Sequence, residues 1–160
     1  MKLSIRIIVS ILIFLGSVFL AFIIEDEYRK SVRWLYEILS NHKISFHHPA
    51  KNIHFASGYF VSSIGAFFVI IFNFIFNQKK HQILLNMVIS LVLFTTSIVL
   101  YSAMDSKLKL IECTACDNGL RTLEYNNILY DRIMILTLIS TLLPWVFTEF
   151  INRKKNGSLK

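Results

Sequence analysis

Two long apolar runs, residues 53–76 and 83–104, are joined by the short polar link Asn77-Gln78-Lys79-Lys80-His81-Gln82. Neither run contains Asp, Glu, Lys or Arg, and each exceeds the roughly 20 apolar residues needed to cross a bilayer's hydrocarbon. The link is too short to recross the membrane, so the pair reads as an antiparallel transmembrane helical hairpin. Apolar runs within 5–24 and 128–150 supply two more spans. The pattern therefore predicts an all-α membrane protein, a four-helix transmembrane bundle forming a single domain over 1–160, with both termini on one side. The first run reads as a retained anchor: a signal peptide's apolar region is typically about 7–15 residues long and ends in a small-x-small site, whereas Phe19-Leu20-Ala21 is a poor one.

Small and polar positions within the spans fall at helical spacing. In the second span His54, Gly58, Ser62, Ala66, Asn73 and Asn77 lie on one face; in the third, Asn86, Ser90, Ser97 and Tyr101; in the fourth, Thr137, Thr141 and Thr148; in the first, Ser10, Ser17 and Ala21. Small residues let helix backbones approach, and an Asn at membrane depth requires a partner inside protein. Gly58, Ser62, Ala66, Asn73, Asn86 and Ser90 are accordingly the expected helix-packing residues, with an amide pair between the second and third spans. These faces read as packing rather than as a solute pathway, because no ionisable group lies in mid-span. Pro144 removes one backbone donor, and a kink is expected there.

Between the spans lie two outer loops. Tyr28, Val32, Leu35, Tyr36 and Leu39 share one helical face, which predicts an amphipathic helix over about 27–40, lying in the outer interface or capping the bundle. Residues 43–48 alternate as a short strand would. In the second loop, 107–112 reads as extended, Asp117-Asn118-Gly119 as a turn and 120–125 as a returning strand, together a small β-hairpin over about 107–125.

Charge changes the picture by orienting it. The chain of 160 residues is 54% hydrophobic and carries a formal net charge of +7. The side holding both termini and the 77–82 link has Lys2, Arg6, Lys79, Lys80, Arg153, Lys154, Lys155 and Lys160 against Glu149 alone, while the opposite side balances. Dense Lys/Arg in short segments marks the cytoplasmic side, so the expectation is a bacterial-type inner (plasma) membrane protein with cytoplasmic termini, its basic face meeting anionic lipid. That distribution accounts for the charge without nucleic acid.

Candidate chemistry is confined to Cys113-Thr114-Ala115-Cys116, which contains both cysteines of the chain. On the outer side they are expected to form a disulfide, read first as a structural staple. A second reading is redox exchange, since close CxxC spacing makes labile bonds. In size, in four spans and in this outer CxxC the chain resembles the DsbB and vitamin K epoxide reductase type of quinone-linked thiol oxidases, which implies a membrane thiol-disulfide exchange protein acting through Cys113 and Cys116. Those families use a second cysteine pair, which this chain lacks. A third reading joins the two cysteines to His47, His48 or His54 around Zn, although their spacing does not bring the two loops together. No nucleophile-base pair, carboxylate pair or phosphate loop is present, and no catalytic residue, cofactor or metal is assigned. The leading expectation is a non-enzymatic subunit, an accessory or immunity-type protein, whose outer loops recognise another membrane or secreted protein. The expected partners are the lipid bilayer and that protein, with a homo-oligomer left open.

Overall fold

The computed structural model describes residues 3–46, 57–76, 78–111, 121–124 and 127–157. Four helices, α1 (Leu3–Leu39), α2 (Gly58–Ile75), α3 (Lys80–Ile111) and α4 (Tyr130–Gly157), surround a narrow core, with short strands β1 (Ile44–Phe46) and β2 (Arg121–Leu123) at one end. All four are long and apolar enough to cross a membrane. Their outward surfaces require hydrocarbon: Ile8, Leu12, Leu15, Phe19, Phe22 and Ile23 on α1 are each more than half exposed. Water would not tolerate so continuous an apolar belt.

In α1, Ser17, Ala21, Glu25, Tyr28, Val32 and Tyr36 are buried, at intervals of four, four, three, four and four. One helical face therefore runs from the apolar span straight into the amphipathic segment, and the interfacial helix expected over 27–40 is the upper part of a single 37-residue helix. The acidic turn at the junction favours this continuity. Arg29 pairs with Glu25, and Lys30 with Asp26 and Glu27, at 2.5, 2.7 and 2.8 Å; such i,i+3 and i,i+4 pairs support helix rather than break it. The helix ends where Asn41 and His42 adopt φ of 53° and 59°, with His42 N donating to the Glu37 carbonyl at 2.8 Å. At the start of α2, the Ser57 side chain accepts from Phe60 N at 3.1 Å, an N-cap.

The expected outer hairpin does not form. Residues 107–111 continue α3, because Ser102 and Ser106, both fully buried, and Asp105, which accepts from Tyr36 Oη, hold that segment helical against α1. The Lys-Leu alternation was compatible with a strand but carried no partner for one. The returning strand finds the other loop: β2 pairs with β1 in parallel, Ile44 opposite Arg121, Ser45 opposite Thr122 and Phe46 opposite Leu123. Ile44 and Leu123 turn inward while Ser45 and Thr122 stay exposed, as strand alternation requires. Asp117-Asn118-Gly119 lies outside the described residues.

Helix neighbours also differ from a simple hairpin. The close pairs are α1 with α2 and α3, and α4 with α3 and α2, so the consecutive helices α2 and α3 occupy opposite corners. The reason lies in the polar faces. That of α3 meets that of α4 along nearly its whole length. Gln82 and Asn152 exchange amide hydrogen bonds at 3.2 and 3.3 Å. Asn86 accepts from Thr148 Oγ1 at 3.1 Å and donates to Gln78 Oε1 at 2.8 Å. Ser90 Oγ accepts from Trp145 Nε1 at 2.8 Å and donates to the Thr141 carbonyl at 2.9 Å. Helix α4 runs through Pro144 without interruption, and the single Thr148 hydroxyl proton is shared between Asn86 Oδ1 and the Pro144 carbonyl, the latter at 2.8 Å.

Two substitutions separate this seam from mere burial. Ser90→Ala leaves the buried Trp145 N–H without its acceptor and is expected to cost about 1–2 kcal/mol, read as a lower thermal midpoint in mild detergent. Ser102 Oγ is buried with no hydrogen-bond partner among the described residues, so Ser102→Ala is expected to be neutral or stabilising. On α2, a Cβ at Gly65 would fall 2.5 Å from Phe14 Cε2, whereas Gly58 has nothing within 4 Å. Gly65→Val should therefore destabilise by about 1–3 kcal/mol and Gly58→Ala should not.

Candidate functional site at the strand-bearing end

A cation-π contact, tyrosine hydroxyls and aromatic rings tie the helices together at the end that carries the strands. Arg29 Nε and Nη2 both donate to Glu25 Oε1, at 2.8 and 2.5 Å, and the Glu25 and Arg29 side chains are only 7% and 12% exposed. The guanidinium also lies over the Tyr130 ring, 4.7 Å from its centroid, a cation-π contact across to α4. One turn of α1 away, Tyr28 Oη donates to the Tyr130 carbonyl at 2.9 Å, and the Tyr28 ring sits 5.3 Å from that of Phe60 on α2. Two turns further, Tyr36 Oη donates to Asp105 Oδ2 on α3, with Phe46 of β1 against the Tyr36 ring at 6.5 Å. A single face of α1 thus reaches every other helix and the strand pair.

Beside this cluster is a depression of about 310 Å3 lined by Arg29, Ile128, Leu129, Tyr130, Asp131 and Arg132. Arg29 and the Tyr130 carbonyl there serve the framework, and Tyr36, which donates to a carboxylate, is fully buried and out of a substrate's reach. Beside exposed polar residues such as Lys30, Ser45 and Thr122, this end also presents large apolar side chains to its surroundings. Trp34 and Ile38 on α1 are 61% and 41% exposed, and Leu108 and Ile111 on α3 are 53% and 78% exposed. On both helices these positions lie opposite the buried face.

The expected packing residues divide. Gly58, Ser62 and Ala66 are exposed, and the buried positions of α2 are Phe60, Ile64 and Gly65. Asn73 is engaged by Arg6 of α1, whose Nε donates to Asn73 Oδ1 at 2.8 Å. Asn86 and Ser90 belong to the α3–α4 seam, so the amide partner of α3 is on α4 rather than α2. Ser17 and Ala21 are buried. Cys113, Cys116, His47, His48, His54 and Asn77 lie outside the described residues.

Several residues that matter here carry only a faint signal in the sequence. Glu25 and Arg29 stand at i,i+4 directly after an apolar run, a spacing that marks a pair able to enter the bundle together. Trp145 continues the Thr137-Thr141-Thr148 face one turn after Thr141 and is 1% exposed. Comparison with known protein families, curated proteins and solved structures finds no match for this chain.

Because Glu25 is buried and the Arg29 side chain is only 12% exposed, breaking the pair from one side strands a charge. Arg29→Leu or Glu25→Leu alone is expected to cost about 3–5 kcal/mol, while the double Leu variant should recover much of that loss. Thermal unfolding of the four proteins in one detergent measures the cycle.

Proposed function

We propose that this protein is a non-enzymatic membrane subunit, of the accessory or immunity type, that recognises a partner protein through its strand-bearing end. The observation that supports the reading is a set of exposed apolar side chains, Trp34 and Ile38 on α1 and Leu108 and Ile111 on α3, carried on helices longer than a bilayer is thick. Helix α1 has 37 residues and α3 has 32, about 55 and 48 Å of helix against about 30 Å of hydrocarbon. With Arg6 at one hydrocarbon boundary, Trp34 stands about 12 Å past the other. Lipid tails do not cover it at that height.

Rigidity supports the same reading. The Tyr36–Asp105 bond and the β1–β2 pair join the two outer segments into one body, so a partner would meet a surface whose ordering cost is already met within the fold. Trp in such a setting is a frequent binding anchor. The proposed location is a bacterial-type inner membrane with both termini cytoplasmic, on the strength of the lysines and arginines at the terminus-bearing end.

The test is a pull-down of the full chain in mild detergent with each recovered protein identified. Trp34→Ala and Ile111→Ser are expected to lower recovery of a specific partner about ten-fold with little change in thermal midpoint. Phe147→Ala, in the lipid-facing belt, should leave recovery intact. Replacing both Cys113 and Cys116 with Ser should also leave it intact; loss of capture together with a trapped mixed disulfide in a single mutant would replace this reading with thiol-disulfide exchange. In a cysteine-free background, Cys placed at Ser45 should react with an impermeant maleimide on intact cells and Cys at Gln78 should not.

A further inference from the structure

At the terminus-bearing end an open groove of about 620 Å3 runs between α1 and α2. Leu3, Ile7, Ile11, Leu15 and Val69 make it apolar along its length, and Phe14 lines it where the ring rests on Gly65. One end alone is charged. Arg6 lines the groove there, its Nε and Nη2 donating to Asn73 Oδ1 and the Asn73 carbonyl at 2.8 and 3.1 Å, with its guanidinium carbon 5.7 Å from the centre of the Phe76 ring. Among the described residues no carboxylate pairs with Arg6. Two of the five guanidinium N–H groups are thus spent on fixing its orientation, and the others remain for an anion.

We infer that this groove binds one anionic phospholipid, with an acyl chain along the apolar floor and the headgroup phosphate on Arg6. Dimensions agree with this occupant. From Arg6 to Leu15 the helix rises about 14 Å, close to the roughly 15 Å of hydrocarbon in one leaflet. Arg6 and Glu25 are about 28 Å apart along α1, which puts the guanidinium at the hydrocarbon boundary, where phosphates lie. Charge agrees as well. Lys79 and Lys80 begin the next helix at the same end and are exposed, a setting that favours a net negative headgroup over one carrying its own ammonium. A neutral apolar partner would leave the Arg6 charge unanswered.

Native mass spectrometry of the full chain, released from mild detergent after addition of phosphatidylglycerol or phosphatidylethanolamine with identical acyl chains, tests the site. A single phosphatidylglycerol adduct is expected, favoured about ten-fold over phosphatidylethanolamine. Arg6→Gln should remove that preference and Arg6→Lys should keep part of it. Ser10→Phe, which fills the groove and leaves Arg6 in place, should remove the adduct itself; this variant decides the matter if Arg6→Gln does not fold. Equal adducts of the two lipids, or an Arg6→Gln protein that still prefers phosphatidylglycerol, would overturn the inference. So would a lipid-free dimer that Ser10→Phe dissociates, since the occupant would then be a second copy of the chain.

Discussion

A polar group between membrane-spanning helices has no water to turn to and must find its partner in protein. That constraint acts most strongly on the contact between α3 and α4. Gln82 with Asn152, Asn86 with Thr148, and Ser90 with Trp145 form a ladder of side-chain bonds that fixes which helix α3 faces and in what register. Each bond is worth little by itself, on the order of 1 kcal/mol. Their joint effect is specificity: a slip by one turn would leave several amides and hydroxyls buried and unpaired. Once α3 and α4 are locked, α2 is excluded from the third helix's polar face. Its own amide, Asn73, is met by Arg6 of α1, and α2 takes the corner opposite α3.

A second consequence concerns the other end. Because α3 is held upright against α4, its last turns carry Asp105 beyond the apolar run, where Tyr36 of α1 donates to it. The Glu25–Arg29 pair and the Tyr28–Tyr130 bond secure α1 below this point. The platform on which Trp34, Ile38, Leu108 and Ile111 stand is therefore built by the same packing that builds the bundle, and the proposed recognition surface inherits its rigidity from the span contacts.

Much of this was legible in the residues themselves. The uncharged runs announced four spans, the spacing of Tyr28, Val32 and Tyr36 announced a helical face, and the polar stripes of the third and fourth spans were visible as stripes. Which stripe meets which was not legible, because a stripe specifies that a helix has a polar side and not whose side answers it; chain adjacency favoured α2 with α3, and hydrogen-bond matching along the full length favoured α3 with α4. The continuity of α1 was obscured by the charges at 25–27, read as a boundary when their i,i+3 and i,i+4 partners made them part of the helix. The small residues Gly58, Ser62 and Ala66 looked like a contact face, whereas in the fold Phe14 seats itself on Gly65, one residue off that stripe. For the second loop, period-two alternation over a few residues was outweighed by tertiary contacts of Asp105 and Ser106, and the strand that does form takes its partner from the other loop.

The helix pairing is the claim on which the rest stands, and oxidative cross-linking tests it directly. In a cysteine-free background carrying Asn86→Cys, a second cysteine at Thr148 is expected to give rapid disulfide formation in membranes, since the two side chains are within hydrogen-bond distance, while one at Asn73 should remain uncross-linked. Efficient cross-linking of position 86 to position 73 with none to 148 would contradict the α3–α4 seam and the arrangement derived from it.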